Sequence, residues 1–228
     1  MRCVPQWMAA ALLATACGGS EDPGTGTKTL LVTASIQAEN QVPNASSSND
    51  FNVSIEVLVR KDNLPVSNAQ VDITPEGGDA ITLTEGDILK GRYTGSRVGL
   101  AASYALDVEA GADNIKDATL DSPGVHTFTA PTLGQVVPAN ADFQIQWSRE
   151  SEADVASIKT KQLGDTEVQD TGSFTLAATN LQGDQDKQKD DEVILTRESR
   201  VGLTGGVGGS ELEISIRNQV AFRIDAQP

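Results

Sequence analysis

Residues 51–60 read FNVSIEVLVR, and their alternation decides the fold class. Phe51, Val53, Ile55, Val57 and Val59 fall on one face, and Asn52, Ser54, Glu56 and Arg60 on the other. An extended chain points successive side chains to opposite faces, so this run reads as a half-buried strand. The same period of two recurs outward from it. It appears at Ala69-Val71-Ile73, Tyr104-Leu106-Val108, Phe143-Ile145-Trp147, Phe174-Leu176, Leu212-Ile214-Ile216 and Val220-Phe222-Ile224. Turn clusters separate these runs: PNASSSND (43–50), EGGD (76–79), KGRYTGS (90–96), AGADN (110–114) and LTGGVGGS (203–210). Short strands punctuated in this way predict an all-β chain of antiparallel β-sandwiches. The best helical candidate, SRESEADVAS (148–157), lacks a continuous apolar stripe and offers at most one short turn of helix.

A boundary is expected near residue 131. Pro123-Gly124 and TAPTLGQ (129–135) follow one complete set of strands and precede another. The predicted organisation is a leader at 1–16, a flexible tether at 17–27 (its GGSEDPGTGT stretch small, polar and rich in breakers), one sandwich at 28–130 and a second at 131–228. Each sandwich is close to the roughly 100 residues of an immunoglobulin-like fold, so the predicted class is two such domains in tandem.

The leader carries the most specific signal. Arg2 opens the chain, an uncharged apolar run extends from Trp7 to Ala14, and the small residues Ala14, Thr15 and Ala16 lead into Cys17. A charged start, a short apolar stretch and small residues at the cut describe a secretory signal peptide, and the run is too short to span a bilayer. The arrangement resembles the lipobox of bacterial lipoproteins. That resemblance implies cleavage between Ala16 and Cys17, lipid attachment (palmitate) at the Cys17 thiol, and membrane tethering in the cell envelope. Gly18 after the cysteine, by the same resemblance, favours the outer membrane. Cys3 falls in the part removed, so Cys17 is the one thiol left in the mature chain. It has no intrachain disulfide partner there, and acylation accounts for it.

Two further resemblances concern the sandwiches. LPVSNAQVDITPEGG (64–78), LKGRYTGS (89–96) and SYALDVEAG (103–111) resemble transthyretin-like and carboxypeptidase-regulatory-type β-sandwich modules. The matching residues are Pro65, Val66, Ala69, Val71, Gly91, Tyr93, Tyr104, Leu106, Val108 and Gly111; Leu64 stands where those modules have glycine two residues earlier. PTLGQVVPANADFQIQWS (131–148) resembles the opening of fibronectin type III-like domains, with Trp147 as the core tryptophan of the second strand. Both resemblances imply spacer, adhesive or binding modules rather than catalysts.

Charge narrows the partners. The chain has 17 Lys+Arg against 32 Asp+Glu, a net charge of −15, and loss of the leader makes it −16. Such acidity argues against nucleic acid and against electrostatic docking on anionic lipids, and it keeps an exported protein dispersed. The single histidine, His126, has no G-x-S-x-G nucleophile and no free thiol to work with, so it reads as a structural strand or turn residue. One histidine cannot assemble a zinc site of the usual N/S type. Gly-rich 203–210 is followed by Glu211 and a strand rather than Lys-Ser/Thr and a helix, so it reads as a hairpin loop. The acidic stretch GDQDKQKDDE (183–192) offers Asp184, Asp186, Asp190 and Asp191 as hard oxygen ligands, but lacks calcium-loop spacing and contains Lys187 and Lys189. The expectation is a protein without enzymatic activity, cofactor or metal, held to the membrane by Cys17 and serving envelope structure or interaction, with an envelope protein or glycan as partner. The alternatives are a carbohydrate-binding or carbohydrate-active accessory, which needs solvent-facing aromatics beside acids, and a calcium-stabilised adhesin.

Overall fold

The alternating run of 51–60 forms the eleven-residue strand β3 at the centre of the larger sheet of the computed structural model, which describes residues 21–227. In chain order the strands are β1 (Thr25–Gly26), β2 (Leu31–Asn40), β3 (Phe51–Lys61), β4 (Leu64–Pro65), β5 (Gln70–Pro75), β6 (Ile81–Thr82), β7 (Thr84–Glu85), β8 (Arg92–Val98) and β9 (Ser103–Ala110). They continue with β10 (Asp113–Asp121), β11 (His126–Ala130), β12 (Val136–Val137), β13 (Phe143–Arg149), β14 (Val155–Thr160), β15 (Thr166–Val168), β16 (Ser173–Leu176), β17 (Lys189–Gly202) and β18 (Glu211–Ile224). The protein is all-β and its sheets are stacked as sandwiches, as the alternation predicted. The expected leader 1–16, Cys17 (the expected site of lipid attachment) and residues 18–20 lie outside the described residues.

The larger sheet runs β15-β14-β17-β18-β2-β3-β8-β7 and is covered by two smaller sheets, β1-β10-β9-β5-β6 and β11-β13-β16. Two hydrophobic cores result. One gathers Phe51, Val53, Ile55, Val57 and Val59 with Val71, Ile73, Tyr104, Leu106, Val108 and Ile115. The other gathers Phe128, Ile145, Trp147, Ile158, Leu176, Val193, Leu195, Val220 and Phe222. The second is a three-on-four sandwich, with Trp147 near the end of its second main strand.

The expected division into 28–130 and 131–228 is crossed by the C-terminal hairpin. β17 and β18 are fourteen residues each and pair along their whole length, from Lys189↔Ile224 to Gly202↔Glu211. At roughly 3.3 Å per residue such a strand is about 46 Å long, whereas ordinary strands span about 17–20 Å. It therefore serves two sandwiches end to end. Leu203, Leu212, Ile214 and Ile216 complete the first core, while Val193, Leu195, Val220, Phe222 and Ile224 build the second. The runs 212–216 and 220–224, read separately in the sequence, are one strand. β18 also pairs parallel with β2, from Glu211↔Thr33 to Arg217↔Glu39, and with the short β12 through Val136↔Arg223 and Val137↔Ile224.

The tether expected at 17–27 is also shorter than its composition implied. Asp22 bridges Thr119, and β1 pairs with β10 through Thr25↔Lys116 and Gly26↔Ile115. The Gly and Pro residues that suggested flexibility permit close packing instead. A Cβ on Gly26 would strike the carbonyl oxygens of Asn114 and Gly205, and one on Gly205 would strike that of Thr25. Lys28 N–H donates to the Gly205 carbonyl at 2.9 Å and Thr204 N–H to that of Pro23 at 3.0 Å, tying this segment to the 203–210 hairpin loop.

Two smaller readings also change. KGRYTGS is a turn only as far as Gly91; from Arg92 it is strand β8, with Tyr93 buried. Residues 148–157 form the end of β13, a loop and the start of β14, with no helix, because the segment has polar caps but no apolar stripe to bury. The residues behind the first-sandwich resemblance do contact one another. Gly91, at φ +73°, leaves room for Pro65, and the Tyr93 hydroxyl donates to Val66 O at 2.7 Å and accepts from Ala69 N–H at 2.8 Å.

Each of Leu212, Ile214 and Ile216 contributes on the order of 1.5–3 kcal/mol by burial, so the first sandwich depends on residues beyond 200. Residues 21–130 produced alone should show no cooperative thermal transition. A fragment 21–130 that remains monomeric and melts cooperatively would refute this shared-hairpin account.

Candidate functional site: the junction and its acidic cleft

The inward face of β18 runs Leu212, Ile214, Ile216, Asn218, Val220, Phe222, Ile224, all buried and all in phase. One polar residue interrupts it, where the two sandwiches meet. The matching face of β17 runs Val193, Leu195, Arg197, Ser199, Val201, and its break falls beside the first. The junction is thus built from buried polar groups, each of which costs free energy unless its hydrogen bonds are supplied.

They are supplied. Asn218 is fully buried; its Nδ2 donates to Ala45 O at 2.8 Å and His126 O at 2.7 Å, and its Oδ1 accepts from Ala45 N–H at 3.0 Å. Asn44 supports the same seam, exchanging bonds of 2.7 and 3.0 Å with the Phe128 backbone. The Asn44 side-chain amide is therefore already engaged. The 41–47 loop of the first sandwich is in this way fastened to β11 of the second.

Arg197, with a fully buried side chain, closes the other flank. Its Nε and Nη2 donate to Asp170 Oδ2 at 3.0 and 2.7 Å. Its Nη1 donates to the Pro123 and Gly124 carbonyls at 2.7 and 3.2 Å, and Nη2 also donates to the Ser151 carbonyl. Asp170 in turn accepts Trp147 Nε1–H at 3.1 Å and Ala153 N–H at 3.0 Å. Burial alone would push the Asp170 carboxyl up; the Arg197 and Ala153 hydrogen bonds, the guanidinium charge and the Trp147 bond together hold it below the usual carboxylate value. One ion pair thus joins the connector between sandwiches (122–125), the 150–154 loop and the tryptophan of the second core.

Over this flank opens a cleft of about 790 Å³. Six carboxylates line it, Glu21, Glu76, Asp121, Glu150, Glu152 and Asp154, and no Lys or Arg is among its described lining residues. Ser122, Ser151 and Ser199 add hydroxyls. Asp154 accepts Arg200 N–H at 2.9 Å, and Ser122 donates to Ala101 O at 2.7 Å, so the walls are held by the fold. The cleft presents a one-sign field suited to a cationic ligand. Trp147, Tyr93 and Tyr104 are all buried, so no Trp or Tyr among the described residues offers a sugar-stacking platform.

The remaining sequence candidates lie elsewhere. His126 is fully buried at the start of β11, against Arg197 rather than beside a nucleophile. The acidic stretch 183–192 does not converge: Lys187 pairs with Asp184 at 3.7 Å and Arg223 with Asp190 at 3.3 Å, while Asp191 caps a turn by accepting Lys161 N–H at 2.9 Å. Among the described residues, no group of three or more His, Cys, Asp or Glu is arranged to hold a metal ion. Arg197, Asp170, Asn218 and the cleft were not anticipated. A signal for the first existed: Arg197 stands in phase with Val193 and Leu195, where an apolar residue is expected.

No protein-family model matches this chain, and no curated protein matches it. Among solved structures, the fibronectin(III)-like modules of CbhA from Clostridium thermocellum are similar at 13% identity, over 87% of this chain and 94% of that one, with a TM-score of 0.29. The fold described above rests on the strand pairing alone.

Two substitutions test the junction by urea denaturation. Trp147→Ala should cost about 3–5 kcal/mol, and native Trp147 emission resembling free tryptophan in water would contradict its burial. Asp170→Asn leaves the Arg197 charge buried without its counterion and should cost about 3–5 kcal/mol, whereas Asp170→Leu combined with Arg197→Met should recover much of that loss. A loss of under 1 kcal/mol for Asp170→Asn would overturn the central place given to the ion pair.

Proposed function

We propose that this is a non-catalytic lipoprotein of the cell envelope, anchored by lipid on Cys17, whose junction cleft binds a positively charged segment of an envelope partner. The observation that carries the binding part is the cleft itself, lined by six carboxylates and, among the described residues, by no Lys or Arg, at the junction of the two sandwiches. The lipobox-like run into Cys17 carries the anchoring part. The pairing of the first described residues supports close tethering. Glu21 already lines the cleft and Asp22 is paired, so the three residues between Cys17 and Glu21 set the leash. At roughly 3.3–3.6 Å per residue, that leash reaches little more than the width of a lipid headgroup layer. An acidic body so close to an anionic bilayer is repelled by it, which favours a protein partner over the lipid surface.

The carbohydrate reading is weaker on a specific observation: every Trp and Tyr among the described residues is buried, and sugar sites lean on exposed aromatic faces.

Anchoring and binding are tested separately. Cys17→Ala should move the protein from the membrane to the soluble fraction and abolish palmitate labelling; labelling that survives this change sinks the anchor. For the cleft, an oligolysine peptide should bind the native chain with salt-sensitive affinity in calorimetry. The triple change Glu76→Gln, Glu150→Gln, Glu152→Gln should weaken binding by about tenfold or more. Equal affinity for both would remove the cleft as the binding surface.

A further inference from the structure

The single histidine of the chain is buried where it can be useful only while neutral. His126 is 0% exposed, and neither ring nitrogen makes a hydrogen bond of acceptable geometry. Its ring meets Phe128 edge-on, with centroids 6.2 Å apart. The charged groups around it come from three elements. Arg197 of β17 is buried beside it, and Asp170 precedes β16. Arg149, its backbone partner on β13, is exposed. Asp170 is already committed to Arg197, Trp147 and Ala153, so it has little left for a second cation. On its backbone side, His126 is part of the seam itself, its carbonyl accepting from Asn218.

We propose that His126 makes the junction acid-labile: its protonation places a second buried cation beside Arg197 and loosens the seam between the sandwiches before either core unfolds. The order follows from where the charge lands. The two cores are separate clusters that share the β17–β18 hairpin, and His126 touches the edge of one where the connector enters. The fourteen-pair β17–β18 ladder holds the halves together while the bonds of Ala45, Phe128 and Arg197 across the seam give way.

The sign and window follow from the titration. Burial first, and the Arg197 charge second, lower the His126 value from 6.5 to about 3; Leu195 and Asp170 oppose this more weakly. The opened form thus takes up a proton that the closed form refuses. Closure is at full strength above pH 6.5 and is lost as pH falls towards 3, by about tenfold in the open-to-closed ratio per pH unit. Asp170, held low, contributes stability above its unfolded value of 3.8 that is lost only below it, so of these two seam groups only the histidine acts between pH 6.5 and 4.

Amide hydrogen exchange on the full chain, corrected for the intrinsic pH dependence of exchange, reads this directly. The Ala45 and Phe128 amides, which donate across the seam, should lose protection by about tenfold per pH unit between 6.5 and 4. Core amides such as Ile55 and Ile158 should hold theirs. In His126→Phe the seam amides should show no such slope. Because that variant can fail to fold, the imidazole is also followed by NMR in the unmodified chain, where it should stay neutral down to about pH 4. Titration near 6.5, an unchanged slope in His126→Phe, flat seam protection in the native chain, or parallel loss at seam and cores would each overturn the proposal.

Discussion

The structure depends on one strand being asked to serve two cores. β18 carries a single inward face over fourteen residues, and only Asn218 breaks its apolar run. Each sandwich taken alone has an open side there: the first needs Leu212, Ile214 and Ile216, and the second needs Val220, Phe222 and Ile224. The chain therefore finishes its first sandwich only after it has built most of its second. That order makes many contacts long-range in sequence, which slows folding relative to two independent modules. In return the halves share a continuous hydrogen-bonded ladder, so their relation is set by backbone pairing rather than by a linker.

The polar break in that strand has a further physical role. Alternation by itself fixes a hairpin only modulo two residues: a slip of one exposes the core face, but a slip of two keeps apolar residues inward. A two-residue slip of β17 against β18 would still bury Val193, Leu195, Val220 and Phe222. It would, however, carry Arg197 away from Asp170 and the Pro123 carbonyl, or Asn218 away from Ala45 and His126. A buried guanidinium or amide without partners costs several kcal/mol, far more than such a slip changes in apolar burial. The ion pair is therefore better understood as a register device than as a source of net stability, because a well-packed apolar pair at the same place could be as stable.

The sequence disclosed this architecture unevenly. Strands with one face in solvent, such as 51–60, 104–108 and 143–147, were legible because alternation is a local signal. β17 was missed because Val193-Ile194-Leu195 is buried on both faces, which erases the period, and because Arg197 occupies an apolar phase. The single identity of β18 was hidden by Asn218, although the phase of Leu212 to Ile224 runs through it unbroken. The tether was overextended because Gly24 and Gly26 look alike whether they serve flexibility or close approach; only their neighbours, Lys116 and Ala118 for Gly24 and Asn114 and Gly205 for Gly26, distinguish the two, and these lie far along the chain. The cleft was invisible for the same reason. Its carboxylates come from four separate segments, and no local pattern marks them as neighbours.

What was legible and what was not come together at the N-terminus. The one specific chemical signal in the sequence, the small residues leading into Cys17, concerns residues just ahead of Glu21, and Glu21 belongs to the cleft wall. Docking of Asp22 on Thr119 and of β1 on β10 fixes the first described residues against the first sandwich. If the tether were as long as its composition suggested, the exit point would be irrelevant to anything bound at the junction. With Cys17 anchored as proposed, only three residues separate the anchor from Glu21 of the cleft wall, so the anchor limits how the cleft is presented. The glycines at 24, 26 and 205 thus affect function through geometry alone, by letting a segment that reads as loose be stitched down.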